Sequence, residues 1–117
     1  MNNYVPKSED LKKRIKISIA VPHKDNRGNV TWTYPGTNDV SCWAAIEPYG
    51  STIIRGEAAR VSEVQYRITI RYRALSLKDK IMYQGRVFQQ SIPAVDINMQ
   101  HQWLELTCTE VVKNGYL

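Results

Sequence analysis

The segment from Tyr66 to Arg73 alternates without a break between two kinds of side chain. One set is Tyr66, Ile68, Ile70 and Tyr72, and the other is Arg67, Thr69, Arg71 and Arg73. Because successive side chains of a β-strand point to opposite faces, this period of two predicts a half-buried strand whose outer face carries three guanidinium groups. The rest of the chain must therefore fold with a sheet that has the core on one side and solvent on the other.

Shorter alternating runs recur along the chain. They predict further strands at 14–21, 30–34, 41–47, 80–83, 86–92 and 103–112, with a tight two-residue hairpin turn at Gln84-Gly85. Ile, Val and Thr together make up 28 of the 117 residues, a composition that favours strands. The expected fold is mainly β, with about six to seven strands in a small antiparallel barrel or sandwich.

The stretch from Ser51 to Val64 is the least strand-like part of the chain. Pro48-Tyr49-Gly50 is expected to end the preceding strand, and Glu57-Ala58-Ala59-Arg60 favours helix. We therefore predict one short, irregular helix in a long loop here. The same stretch is the best candidate for a mobile or partner-contacting element, with the residues Ser51, Thr52, Ile53, Ile54, Arg55, Glu57 and Arg60.

Length and composition favour one domain made in a reducing compartment. A chain of 117 residues fits a single core, so we expect a flexible arm over 1–13 and one barrel domain over 14–117. Cys42 and Cys108 alternate with apolar neighbours and are expected to be buried thiols. The longest apolar run is five residues, and no signal segment opens the chain, so we expect a soluble protein that does not contact membranes.

The sequence contains no recognisable catalytic or metal-binding pattern. His23 and His101 lie in polar connections without a nucleophile motif, and the carboxylates are scattered singly apart from Glu9-Asp10. Phosphate-binding glycine motifs are absent as well. We therefore expect no enzyme activity, no cofactor and no metal ion.

Positive charge is concentrated between Gln65 and Arg86. This stretch holds six basic residues and one acid, which accounts for the whole net charge of +5. These residues are candidates for contacting a partner or DNA: Arg67, Arg71, Arg73, Lys78, Lys80 and Arg86. Because Tyr66 and Tyr72 oppose the arginines, base stacking on the basic face is disfavoured, and a protein interface is preferred over DNA for the three arginines.

Four segments in order resemble the head-tail joining (head-closure) proteins of tailed bacteriophages. They are Trp43-Ala44-Ala45-Ile46-Glu47-Pro48-Tyr49-Gly50, Tyr66-Arg67-Ile68-Thr69-Ile70-Arg71-Tyr72-Arg73, Ile81-Met82-Tyr83-Gln84-Gly85-Arg86-Val87-Phe88 and Leu104-Glu105-Leu106-Thr107-Cys108-Thr109-Glu110. The opening fits too, with Asp25-x-x-Gly28 followed by Thr31-Trp32. Together they cover nearly the whole chain.

The resemblance implies a small β-barrel subunit without catalysis or cofactor. Such subunits form a ring, commonly of twelve, below the portal and its adaptor; the ring retains double-stranded DNA in the head and offers a docking surface to the tail. The protein would be made in the host bacterial cytoplasm and end in the virion. The alternatives are a tail-completion (terminator) protein of the same assembly, or an oligonucleotide-binding type of barrel that binds nucleic acid without sequence preference.

Overall fold

The computed structural model describes residues 8–55 and 60–111, with side chains described for 9–48 and 64–111. The described residues form nine strands and two 3₁₀ turns, Ser8–Asp10 and Ile97–Met99. The strands are β1 (Lys13–Ser18), β2 (Val21–Lys24), β3 (Val30–Thr33), β4 (Val40–Arg55), β5 (Arg60–Arg71), β6 (Lys80–Tyr83), β7 (Arg86–Gln90), β8 (Val95–Asp96) and β9 (Trp103–Glu110). The prediction of a mainly β protein is confirmed.

Six of these strands close into an antiparallel barrel. Their order is β5-β4-β1-β6-β7-β9, and β9 returns to pair with β5 from Gln65↔Thr109 to Arg71↔Trp103. The two-residue strand β8 pairs with the first half of β9 as an extra strand. Closure satisfies the backbone groups that an open sheet would leave along its edges. The predicted barrel of about six to seven strands is therefore confirmed.

The core lies inside the barrel and follows the alternation read from the sequence as far as Ile70. The prediction fails at Tyr72, which is 44% exposed because β5 ends at Arg71. Ile68 and Ile70 are fully buried, whereas Arg71 is exposed. They pack in one cluster with the inward-facing residues of the other strands: Ile15, Ile17, Ala44, Ile81, Phe88, Leu104, Leu106 and Cys108. Leu11 is also buried, so ordered packing begins just before β1. The predicted Gln84-Gly85 turn is present, with both residues at positive φ (48° and 78°) as a two-residue hairpin requires.

The expected helix between Ser51 and Val64 is wrong for the described residues. β4 continues through Pro48 to Arg55, and β5 begins at Arg60; the paired residues run from Gly50↔Gln65 to Arg55↔Arg60. Tyr49 is the extra residue of a bulge, which lets the strand pass Pro48 instead of ending there. The β-branched residues of the predicted interface segment, Thr52, Ile53 and Ile54, favour this strand. Glu57 lies outside the described residues.

The predicted first strand is divided in two. β1 ends at Ser18, and β2 and β3 form a separate two-stranded hairpin in which Pro22 pairs with Trp32. Every residue of this hairpin is exposed. Proline is tolerated there because a two-stranded hairpin has outer edges that need no N–H from the ladder. His23 and Lys24, which lie between the predicted strands 14–21 and 30–34, belong to β2.

The two cysteines are free thiols, and Cys108 is fully buried while Cys42 is half-buried. Burial raises the pKa of the Cys108 thiol to about 12 and also raises that of Cys42, where Arg73 and Arg14 oppose the rise. Because the thiolate is the reactive form, we expect Cys108 to resist Ellman's reagent in the folded protein at neutral pH and to react once denaturant is added. Rapid reaction of both thiols before unfolding would contradict this placement.

Candidate interaction surfaces

The six basic residues singled out from the sequence lie at three separate places. Arg67, Arg71 and Arg73 are on or just after β5, Lys78 and Lys80 lie beside the β2–β3 hairpin, and Arg86 starts β7. Each place gives its cations different partners.

On the outer face of the barrel, the three arginines differ in what they contact. Arg67 Nε lies 3.0 Å from Glu105 Oε1 on the neighbouring strand β9. The Arg71 guanidinium carbon lies 5.0 Å from the centroid of the Trp103 ring. Arg73 Nε donates to the carbonyl oxygen of Ala74 at 3.2 Å. Between them, Thr69 is buried, so this face is not uniformly open to solvent.

Strand pairing extends the Arg71 contact into a row of four residues across four strands. Arg14 pairs with Trp43 across β1 and β4, and Arg71 pairs with Trp103 across β5 and β9. Trp43 and Arg71 flank the paired residues Ala44 and Ile70, so they too are neighbours across β4 and β5. The Arg14 guanidinium lies 5.1 Å from the Trp43 ring centroid. We call Arg14, Trp43, Arg71 and Trp103 the Arg–Trp row.

Sequence reasoning identified Arg71 but missed the other three members of the row. In the sequence, Arg14 and Trp43 alternate with the inward-facing residues of their strands, so their outward position could have been predicted. What the chain order does not show is that β1, β4, β5 and β9 lie side by side. Trp103 also faces outward, but it is only 8% exposed. The Arg71 guanidinium packs against its ring.

At one end of the barrel, Arg86 joins two strands through a carboxylate and a phenol. Its Nε and Nη2 donate to Glu110 Oε2 and Oε1 at 2.9 and 2.7 Å, and Nη2 also donates to the Tyr66 hydroxyl at 2.9 Å. Tyr66 in turn packs edge-on against Phe88, with ring centroids 5.1 Å apart. This bidentate pair therefore links β7 and β9 to the half-buried Tyr66 of β5.

The same pair shifts the ionisation of both partners. The hydrogen bonds that Arg86 donates hold the pKa of Glu110 below its usual value of 4.5, against the effect of burial, and the same hydrogen bonds raise the pKa of Arg86. A carboxylate whose pKa is lower in the folded state stabilises the fold above its unfolded pKa. That contribution is lost as the pH falls through the folded pKa.

We therefore expect the Glu110→Gln variant to lose less stability than the wild type as the medium is acidified from pH about 5 to about 3. The measurement is the free energy of unfolding in urea at several pH values. Glu47→Gln, which changes an exposed carboxylate of β4, serves as the control and should keep the wild-type slope. An equally shallow slope for both variants would contradict the role assigned to Glu110.

The third place is a cleft of about 390 Å³ between the β2–β3 hairpin and the barrel. Its lining residues are Trp32, Tyr34, Leu77, Lys78, Asp79, Lys80, Gln89 and Gln90. Lys80 Nζ lies 4.2 Å from the centroid of the Tyr34 ring, and the Tyr34 hydroxyl donates to the Lys78 carbonyl oxygen at 2.7 Å. Burial, with a contribution from the charge of Asp79, raises the pKa of Tyr34. Both lysines are thus held beside Tyr34.

A buried carboxylate fixes the base of this cleft. Asp79 is 4% exposed; its Oδ1 accepts from the Ala20 backbone N–H at 2.8 Å, and its Oδ2 accepts from the Ser76 N–H at 3.0 Å. Gln90 Nε2 donates to the backbone carbonyls of Ser76 and Asp79 at 2.8 and 2.9 Å. Since Ala20 directly precedes β2, Asp79 positions the whole hairpin relative to the barrel.

The described residues hold no cluster of three or more His, Cys, Asp or Glu side chains that could bind a metal ion. His23 lies in β2 on the exposed hairpin. His101 stacks edge-on against Tyr72, with centroids 4.7 Å apart, and its Nδ1 lies 3.6 Å from Asp96 Oδ2. In the ranges 8–55 and 60–111, we also find no helix with the length and apolar character needed to span a bilayer.

The architecture defines a small closed β-barrel that carries an exposed hairpin, and comparisons with solved structures find the same fold elsewhere. A chain from the virion of a native gene transfer agent particle is 17% identical, with a TM-score of 0.72, and the match covers 92% of this chain and 99% of that one. Protein SF1141 from Shigella flexneri 2a is 23% identical, with a TM-score of 0.57 and coverage of 89% and 96%. At these identities the likeness concerns the fold.

A further similar structure is the protein xkdH of the phage-like element PBSX from Bacillus subtilis. It is 16% identical, with a TM-score of 0.54, and the match covers 83% of this chain and 91% of that one. A search of curated proteins finds no match. The family model described as phage head completion protein matches residues 6–111, nearly the full length. The chain therefore belongs to the phage head completion protein family.

Proposed function

We propose that this protein is a structural component of the head-tail connector of a phage-like particle. In this role it closes the DNA-filled head below the portal and its adaptor and provides the surface on which the tail docks. The observation that carries the proposal is the match to the head completion family over residues 6–111. The fold shared with a gene transfer agent virion component, across nearly all of both chains, supports it.

The proposed subunit acts in a homo-oligomeric ring of twelve copies around double-stranded DNA. Because the sheet is closed, contacts between copies would involve the outer faces of the barrel and two hairpins, β2–β3 and the distal part of β4–β5. β5 pairs with β9 only from Gln65 onward, so the distal parts of β4 and β5 pair, among the described residues, only with each other. A hairpin of this kind can reach a neighbouring subunit in a head-to-tail contact, the contact type that closes a ring. We assign this role to Ser51–Arg55 and Arg60.

The six basic residues have unequal roles in this proposal. Arg67 and Arg86 are paired with Glu105 and Glu110, so we assign them mainly to holding the barrel together. Arg71 and Arg73 on the outer face, and Lys78 and Lys80 at the cleft, are the candidates for contacting a partner or DNA. No reaction is assigned to the protein. It would be made in the host bacterial cytoplasm and function in the virion.

The decisive experiment compares particles assembled with and without the protein. Without it, we expect heads that lose packaged DNA and fail to join tails, and purified protein added back should restore both properties. Heads that keep their DNA but still lack tails would instead assign the protein to tail completion. Particles that are unchanged, together with salt-dependent binding of free oligonucleotides by the purified protein, would replace the proposal with a nucleic-acid-binding barrel.

A further inference from the structure

We propose that the Arg–Trp row is a docking surface for an acidic segment of a different protein. The occupant is a short stretch with carboxylates at its ends and an apolar side chain between them, lying across β1, β4, β5 and β9. This inference rests on the proposed function only in that the partner is another protein of the particle. The geometry of the row, its charge and its apolar centre each support it.

The row presents its guanidinium groups in fixed positions. Arg14 and Arg71 rest against the rings of Trp43 and Trp103, at 5.1 and 5.0 Å from the ring centroids. Stacking on an aromatic ring restricts the long side chain, so less entropy is lost when the planar guanidinium binds a carboxylate through two hydrogen bonds. Neighbouring strands lie roughly 4.8 Å apart, so an extended peptide of about five residues spans the row.

Positive charge continues beside the row. Lys16 pairs with Ser41 on the next outward-facing row, and Arg73 follows Arg71 by two residues along the chain. Neither the row nor these neighbouring positions carry a carboxylate. The nearest acidic residue along β9 is Glu105, and it is paired with Arg67. An acidic partner would therefore meet several cations and little repulsion.

The apolar centre of the row favours a protein over DNA. Trp43 is 52% exposed, and Met82, which pairs with Lys16, is exposed as well. A DNA duplex offers phosphates to the arginines but no unstacked base for the indole. Tryptophan and arginine together are the residues that most often dominate the binding energy of protein interfaces.

A second copy of this chain is poorly suited as the occupant because most of its described carboxylates are already bonded. Glu105 and Glu110 pair with arginines, and four aspartates accept backbone N–H groups. These aspartates are Asp25, Asp39, Asp79 and Asp96. A different, acidic protein fits the charge of the row better.

The test uses the full chain and three labelled probes: the peptide Glu-Glu-Leu-Glu-Glu, its glutamine counterpart Gln-Gln-Leu-Gln-Gln, and a short DNA duplex. Affinity is measured by fluorescence anisotropy for two matched pairs of variants. Trp43→Ala is compared with Trp32→Ala, an equally drastic loss on the hairpin. Arg71→Gln is compared with Arg27→Gln, which removes the same charge from the hairpin turn.

We expect the acidic peptide to bind better than the neutral one, and Trp43→Ala and Arg71→Gln each to weaken it about tenfold or more. Trp32→Ala and Arg27→Gln should change the affinity less than about twofold, as peripheral positions do. Equal losses in both pairs, or no binding of the acidic peptide, would overturn the proposal. Row-dependent binding of the duplex, or self-association that Trp43→Ala abolishes in sedimentation, would assign the surface to DNA or to a second copy.

The same variants in the particle assay separate this inference from the proposed function. If omitting the protein prevents tail joining but Trp43→Ala and Arg71→Gln support normal particles, the docking surface is wrong while the connector role stands. If omitting the protein has no effect on particles, the connector role itself fails.

Discussion

Replacing Ile70 by aspartate should abolish the cooperative thermal unfolding of the barrel, while replacing the next residue, Arg71, by glutamate should preserve it. Ile70 is fully buried and lies between its paired residues Ala44 on β4 and Leu104 on β9. A carboxylate there has no partner and costs more than about 4 kcal/mol. That loss approaches the whole stability of a small domain, about 5–15 kcal/mol.

Arg71 lies one residue away but on the exposed outer face, so Arg71→Glu removes its contact with Trp103 and places the new carboxylate outside the core. We expect a loss of about 1 kcal/mol or less from that contact and a normal melting transition. The variant should still fail in particle assembly, because it reverses the charge of the Arg–Trp row. Circular-dichroism melts of both variants, with Ile70→Val as the conservative control, measure the difference. A folded Ile70→Asp protein or an unfolded Arg71→Glu protein would contradict the alternation.

The second large effect is expected at Asp79, the buried carboxylate at the base of the hairpin cleft. Asp79→Ala leaves the backbone N–H groups of Ala20 and Ser76 without their acceptor. A buried donor without an acceptor costs about 1–3 kcal/mol. Because Ala20 is half-buried and Ser76 is exposed, water can partly replace the carboxylate, and we expect the free energy of unfolding to fall by about 2–3 kcal/mol. The hairpin should also lose its fixed position, because Ala20 leads directly into β2.

Asp25 is the matched control for this prediction. Its Oδ1 also accepts two backbone N–H groups, those of Arg27 and Asn29, but in the exposed turn of the β2–β3 hairpin. Water can replace the carboxylate there, so Asp25→Ala should have a far smaller effect. Urea unfolding of the two variants measures the comparison. Equal destabilisation would mean that the burial of Asp79 is not what makes it important.

Local pattern predicted the parts of the fold that depend on neighbouring residues. The burial of Ile68 and Ile70 and the Gln84-Gly85 turn follow from alternation and turn chemistry. The errors occurred where tertiary pairing overrode a local signal. Pro48 and Gly50 are strong breakers, yet pairing with β5 carries β4 past them through a bulge. The Glu57-Ala58-Ala59-Arg60 sequence suggested helix, but Arg60 begins a strand.

The sequence by itself determined that the chain is a β protein and which side chains of β1, β4 and β5 share a face, because a strand's two faces are set by a period of two along the chain. Only the tertiary structure decided which strands are neighbours. Arg67 therefore meets Glu105 across the closure of the barrel between β5 and β9, and Arg86 meets Glu110 across the neighbouring strands β7 and β9. The Arg–Trp row arises in the same way: pairing places β1, β4 and β5 side by side, and closure of the barrel adds Trp103 on β9.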